Sequence, residues 1–233
     1  MLTEHTSRQF DAELEAVRLR VLQMGGLVEE QTANAIDSLI NRRMDLADMV
    51  ISRELQVNAM EVEIDAACSR IIVRRQPTAV DLRMLMTVIK TISDLERIGD
   101  EAKKISEMAK LIYQAERLYK PRFNEIKLMS GIALDMLRTS LDGFARLDPS
   151  VALQVPRQDV HVDETYRLCM RHLITYMMED PRTISTSIEV LFAAKAIERI
   201  GDHAKNMSEY VVYMVKGKDI RHTSFEQIEG EVA

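Results

Sequence analysis

The pentapeptide Glu96-Arg97-Ile98-Gly99-Asp100 returns as Glu198-Arg199-Ile200-Gly201-Asp202, an offset of 102 residues in a chain of 233. The likeness extends beyond five letters. DLERIGDEAKKISEMAK from Asp94 aligns with AIERIGDHAKNMSEYVV from Ala196, so Ala102/Ala204, Lys103/Lys205, Ser106/Ser208 and Glu107/Glu209 also coincide. A period near a hundred residues is too long for a solenoid unit and fits a duplicated domain. In each copy the two carboxylates stand four residues apart, which on a helix leaves them within roughly 40° of each other on one face. Like charges so placed repel and call for an answering cation, arginine or solvent.

Composition supports helices. Hydrophobic residues make up 46% of the chain, but aromatics only 5%, with no Trp, 8 Gly, 5 Pro and 15 Met, a profile of long packed helices rather than sheet. The net charge of −6 is spread along the chain without a basic run, which argues against nucleic acid as a partner. The start, MLTEHTSRQF, is polar, and apolar runs of about five residues fall far short of the ~18 that span a bilayer. A soluble, cytoplasmic protein is the expectation. Cys68 and Cys169 lack a CxxC partner and fall at non-corresponding places in the two halves, so they read as core residues rather than a disulfide or zinc site.

Helical periodicity runs from Arg8 to Asn41, with Gly25 and Gly26 inside it. Two interior glycines cost about 1 kcal/mol each relative to Ala, so a close helix approach is expected there. A second helix is expected from a cap at Asp45 to Gln76-Pro77, and a third from Thr78, with Asp81 three residues on, through the first pentapeptide. A boundary at Lys120-Pro121 precedes a fourth helix over 122–145. Asp148-Pro149 and Asp180-Pro181 are expected to start helices five and six. An offset of 105 superposes Met24-Gly25-Gly26 on Met129-Ser130-Gly131 and Glu54, Val57 and Asn58 on Asp159, Val162 and Asp163. The expected fold is all-α: two pseudo-twofold-related antiparallel three-helix bundles over 1–119 and 120–217, then a charged, mobile tail over 218–233.

Four pairs with four-residue spacing lie on helices two, three, five and six: Glu54/Asn58, Glu96/Asp100, Asp159/Asp163 and Glu198/Asp202. Adjacent helices in each half bring two pairs toward one oxygen-rich patch of the kind that holds hard cations, iron or manganese. Asp94 and His203 are near enough in sequence to add a ligand. The alternative is a network of salt bridges in which Arg97, Lys103, Arg199 and Lys205 answer the acids. Neither a phosphate loop, a nucleophile elbow nor a Glu-x-x-His element is present. No catalytic residue is assigned.

The segments RELQVN (Arg53–Asn58), QPTAVDLRML (Gln76–Leu85), SDLERIGDEAKKI (Ser93–Ile105) and AIERIGDHAKNMSE (Ala196–Glu209) closely resemble the PhoU family of bacterial phosphate-signalling regulators. The resemblance covers the chain up to Gly217. It implies two three-helix bundles whose Glu/Asp-x-x-x-Asp motifs bind multinuclear iron or other metals in some members. By position the implied ligands are Glu96, Asp100, Glu198 and Asp202, joined by Asp159 and Asp163 in the second half and by Glu54 and Asn58 in the first, where Asn replaces Asp. Iron, manganese, magnesium, zinc and nickel are the metals considered. The resemblance further implies a negative regulator of phosphate uptake and of the phosphate-starvation regulon, acting between a sensor histidine kinase and the ATPase subunit of the phosphate ABC transporter. A homodimer that reaches membrane complexes only through its partners completes the expectation. The rivals are a metal-dependent enzyme built on the carboxylates and a metal-free helical scaffold.

Overall fold

Apolar side chains three and four residues apart recur through nearly the whole chain, and such a stripe must be buried against another helix. In α1 (Arg8–Asn41) the stripe is Leu14, Val17, Val21, Met24, Val28, Ala35 and Leu39, all buried. The remaining elements are α2 (Met44–Arg75), α3 (Ala79–Gln114), α4 (Asn124–Arg146), α5 (Val151–Glu179), a 3₁₀ turn (Pro181–Thr183) and α6 (Ile184–Lys216). This computed structural model describes residues 8–114, 123–221 and 223, and among them there is no strand. The expected boundary at Lys120-Pro121 lies outside the described residues.

Short turns make sequential helices antiparallel. Glu30 with Arg53 and Glu13 with Arg75 join α1 to α2, while Asp48 with Lys110 and Glu61 with Ser93 join α2 to α3. The second half repeats the arrangement, with Glu125 on His172 between α4 and α5 and Asp159 on Lys205 between α5 and α6. Even the turns match: Arg42 (φ 58°) and Leu147 (φ 57°), 105 residues apart, both take the left-handed conformation after the first helix of their half.

The halves join along α3 and α6, the most extensive helix contact, and along α1 and α4. Both pairs are antiparallel, because partner numbers fall on one helix as they rise on the other: Asp94 meets His203 and Glu101 meets Arg199, while Arg18 meets the Ala145 carbonyl and Glu29 meets Arg138. A pseudo-twofold axis therefore passes near Gly99 and Gly201. A Cβ on Gly99 would lie 3.4 Å from Val57 and 3.7 Å from Gln31, and one on Gly201 would lie 3.5 Å from Met136 and 3.7 Å from Val162. Val57 and Val162, like Gln31 and Met136, are 105 apart. The motif glycines thus face equivalent positions of equivalent helices.

Four expectations change. Gly25 does admit a neighbour, since a Cβ there would run into the Leu141 side chain of α4, but Gly26 has nothing within 4 Å. Asp45 lies in the first turn of α2, held by Arg43 at 2.8 Å, rather than capping it. Pro149 precedes α5, which instead carries Pro156 inside it. Finally, the expected mobile tail begins packed: Gly217 (φ 76°) turns the chain beside Arg83, and Ile220 is buried against Ala152 and Val212.

Candidate functional site

The groove between α2 and α3 gathers the acids of the first half. Because the helices are antiparallel, Glu54 and Glu61, two turns apart on α2, bracket the level of Glu96 and Asp100 on α3. Lys103 Nζ lies 3.2 Å from Glu54, Asn58 Nδ2 donates to Glu54 at 2.9 Å, and the Ser93 hydroxyl donates to Glu61 at 3.0 Å. The Asn58 carbonyl oxygen is enclosed and has no donor. Partial burial, then the charges of Asp100, Glu61 and Glu54, push the Glu96 carboxyl above its ordinary range despite nearby Arg97. Repulsion among these acids is only partly answered.

The equivalent groove between α5 and α6 holds Asp159, Glu198 and Asp202. Lys205 donates to Asp159 at 2.8 Å, the counterpart of Lys103 on Glu54. Lys195 adds a second cation, its Nζ 2.5 Å from both Glu198 oxygens and 5.5 Å from the centre of the Tyr166 ring. Partial desolvation, then the charges of Glu198 and Asp159, raise the Asp202 carboxyl, which is exposed at one edge, while Lys195 and Lys205 oppose them. Asp163 turns aside to Arg167 at 3.2 Å. The acids of α2 and α3 thus face one groove near enough for their charges to interact, as do Asp159, Glu198 and Asp202, while Asp163 pairs with Arg167.

On the axis itself, α3 and α6 line an open cleft of about 580 Å³. Its walls are Arg97, Asp100, Glu101 and Lys104 from one half and Arg199, Asp202, His203 and Asn206 from the other. These are four pairs at the offset of 102. Glu101, buried, is held by Lys104 at 2.7 Å and by Arg199 at 3.2 Å. Behind the wall, buried Asp94 lies 2.7 Å from His203 Nδ1. Asp94 and His203 thus clamp the halves together across the α3/α6 seam. The walls carry arginine and lysine opposite carboxylates, a lining suited to contacts of mixed charge.

A family model described as the PhoU domain matches the chain twice, over residues 21–109 and 126–211. This chain belongs to the PhoU family. A phosphate-specific transport system accessory protein PhoU homolog from Pseudomonas putida is 47% identical over 232 residues, covering 99% of this chain and 90% of the relative. The phosphate-specific transport system accessory protein PhoU of Escherichia coli (strain K12) is 45% identical over 228 residues, covering 98% and 94%. Among solved structures, PhoU from Pseudomonas aeruginosa aligns with a TM-score of 0.86 at 44% identity over 90% of this chain and 100% of that one. The phosphate transport system regulatory protein PhoU from Streptococcus pneumoniae aligns at 0.82 with 26% identity, over 90% and 98%. Three of these four are named as accessory or regulatory proteins, and none is named as an enzyme. Each PhoU domain match contains one complete acidic groove.

Among the described residues no three His, Cys, Asp or Glu side chains stand close enough to share an ion as placed. The donor chemistry of the first groove nevertheless fits: four carboxylates and the orphaned Asn58 oxygen, opposed by one lysine, form an oxygen-only set suited to a hard or borderline cation. In the second groove an ammonium already serves as counter-ion. Ser93, Lys195 and Tyr166 belong to no four-residue acidic pair, and Glu61, which stands four residues before Asp65, has no acidic counterpart at the offset of 105, so the repeated motifs do not point to them. The available signals were the seven-residue spacing of Glu54 and Glu61 and the three-residue spacing of Lys195 and Glu198.

Proposed function

We propose that this chain is a non-catalytic negative regulator of phosphate uptake and of the phosphate-starvation regulon, acting in the cytoplasm as an adaptor between the phosphate ABC transporter and a sensor histidine kinase. The observation that carries this reading is near-full-length identity of about 45% to phosphate-transport accessory proteins. Paired rigid bundles suit the role, because an adaptor acts through different affinities for two states of a partner. Contact surfaces are available: the outer faces of α2 and α5 leave Leu55 and Val160, and Val73 and Met178, exposed at the offset of 105. Among the described residues no helix is long and apolar enough to cross a membrane, so membrane complexes are reached through partners, the transporter's ATPase subunit and the kinase. A homodimer is part of the proposal.

Metal binding belongs to the same reading. Glu54, Glu61, Glu96 and Asp100, with the Asn58 oxygen, would hold a divalent or iron-type ion in the first groove. Such an ion would relieve their repulsion and add fixed positive charge at the surface. Deleting the gene should leave phosphate-uptake genes switched on in phosphate-rich medium, measured by transcript level and phosphate import. Normal repression in that strain would overturn the regulator reading.

A further inference from the structure

We propose that this chain has one cation site rather than two: the first groove takes a divalent metal, and in the second the ammonium of Lys195 stands in the metal's place. The inference rests on the metal reading given above. It comes from superposing the bundles on their own offsets. Lys195 falls on Ser93 and Tyr166 falls on Glu61. Where the first groove has a hydroxyl donating to a carboxylate at 3.0 Å, the second has an ammonium 5.5 Å from the centre of an aromatic ring.

Three consequences follow from that exchange. The first groove sets Glu54, Glu61, Glu96, Asp100 and Glu107 against Lys103 and Arg97, whereas the second sets Asp159, Glu198, Asp202 and Glu209 against Lys195 and Lys205. The second groove is therefore closer to neutral before any ion arrives. Lys195 Nζ is 2.5 Å from both Glu198 oxygens, with the Glu198 side chain 12% exposed. A metal claiming Glu198 must break both bonds and leave an ammonium near the Tyr166 ring without its partner. The remaining oxygen donor of each groove differs too. Asn58 presents an enclosed carbonyl with no donor, the type of ligand hard cations accept, while its counterpart Asp163 is drawn away by Arg167.

The experiment uses the full-length chain stripped of metal, with Mn²⁺ alone as probe. Binding is followed by equilibrium dialysis and by the electron paramagnetic resonance of free ion, and circular dichroism checks that each variant is folded. Saturable Mn²⁺ binding by the wild-type chain should weaken about tenfold or more in the E96Q/D100N variant and stay unchanged in E198Q/D202N. K195S should gain a second portion of bound Mn²⁺, lost again when E198Q/D202N is added, and K195Q should give the same gain with side-chain length kept. S93K, which installs the ammonium in the first groove, should weaken binding there about tenfold. Mn²⁺ divided between the grooves of the wild-type chain, or K195S and K195Q binding no more than wild type, would overturn the single-site inference and leave the metal reading standing. No saturable binding by the wild-type chain would remove the metal reading and this inference together.

Discussion

The two bundles share a backbone and diverge around the motif glycine. Behind Gly99 stands the amide of Gln31, 99% buried with neither its nitrogen nor its oxygen hydrogen-bonded, whereas behind Gly201 stands the thioether of Met136. In front of the two motifs, a hydroxyl and an extra carboxylate face an ammonium and an aromatic ring. The difference teaches that helix crossings and side-chain chemistry are set separately. Glycine permits a given approach of backbones, and residues of quite unlike polarity can occupy the space beside it without moving the helices. A duplicated fold can accordingly hold one polar, charge-rich half and one self-neutralised half on a common frame.

The largest effect is expected where the halves touch. Gly25→Val places a branched side chain against Leu141 and should destabilise the chain by about 2–3 kcal/mol in urea unfolding. Gly26→Ala, with open space around it, should stabilise by about 0.5–1 kcal/mol. Equal effects at the two positions would break the claim that only one glycine serves the α1/α4 crossing. Next in size, Gln31→Met gives the first half the second half's residue and should raise stability by about 1–2 kcal/mol by removing an unsatisfied amide. A loss of stability would mean that Gln31 is satisfied after all.

The smallest effect concerns Glu209, whose counterpart Glu107 is exposed. Burial pushes the Glu209 carboxyl from 4.5 up to about 7, with Lys205 and Arg221 pulling the other way. The folded chain then binds more protons than the unfolded chain between about pH 4.5 and 7, so this group's stabilising contribution is full below pH 4.5 and lost as pH rises through 7. Glu209→Gln should make the fall in melting temperature across that window shallower. An unaltered slope would show that the returning chain at Asp219 and Arg221 does not distinguish the two halves in this way.

Much of this was legible in the residues. Helical periodicity gave six helices, the offsets of 102 and 105 gave the duplication, and four-residue spacing gave the acids of each groove. Such features are set within a turn or two of chain. What escaped depends on register between helices distant in sequence. Glu61 enters the first groove only because α2 and α3 slide to place it opposite Ser93, and His203 reaches Asp94 only because α6 docks antiparallel on α3. Local competition misled as well: Asp45 can cap or pair, and Arg43 decides. Ile220 looked like part of a charged tail because one apolar residue has no periodicity, yet the αL turn at Gly217 delivers it to a gap between α5 and α6.

Asp100 serves two surfaces at once. It borders Glu96 in the groove and also lines the axial cleft, and Asp202 does the same in the other half. A shared carboxylate makes neighbouring surfaces communicate without any long relay: an ion that draws Asp100 inward changes the charge offered to whatever docks over the axis. Thermodynamic reciprocity then requires the docked molecule to alter the hold on the ion by the same factor.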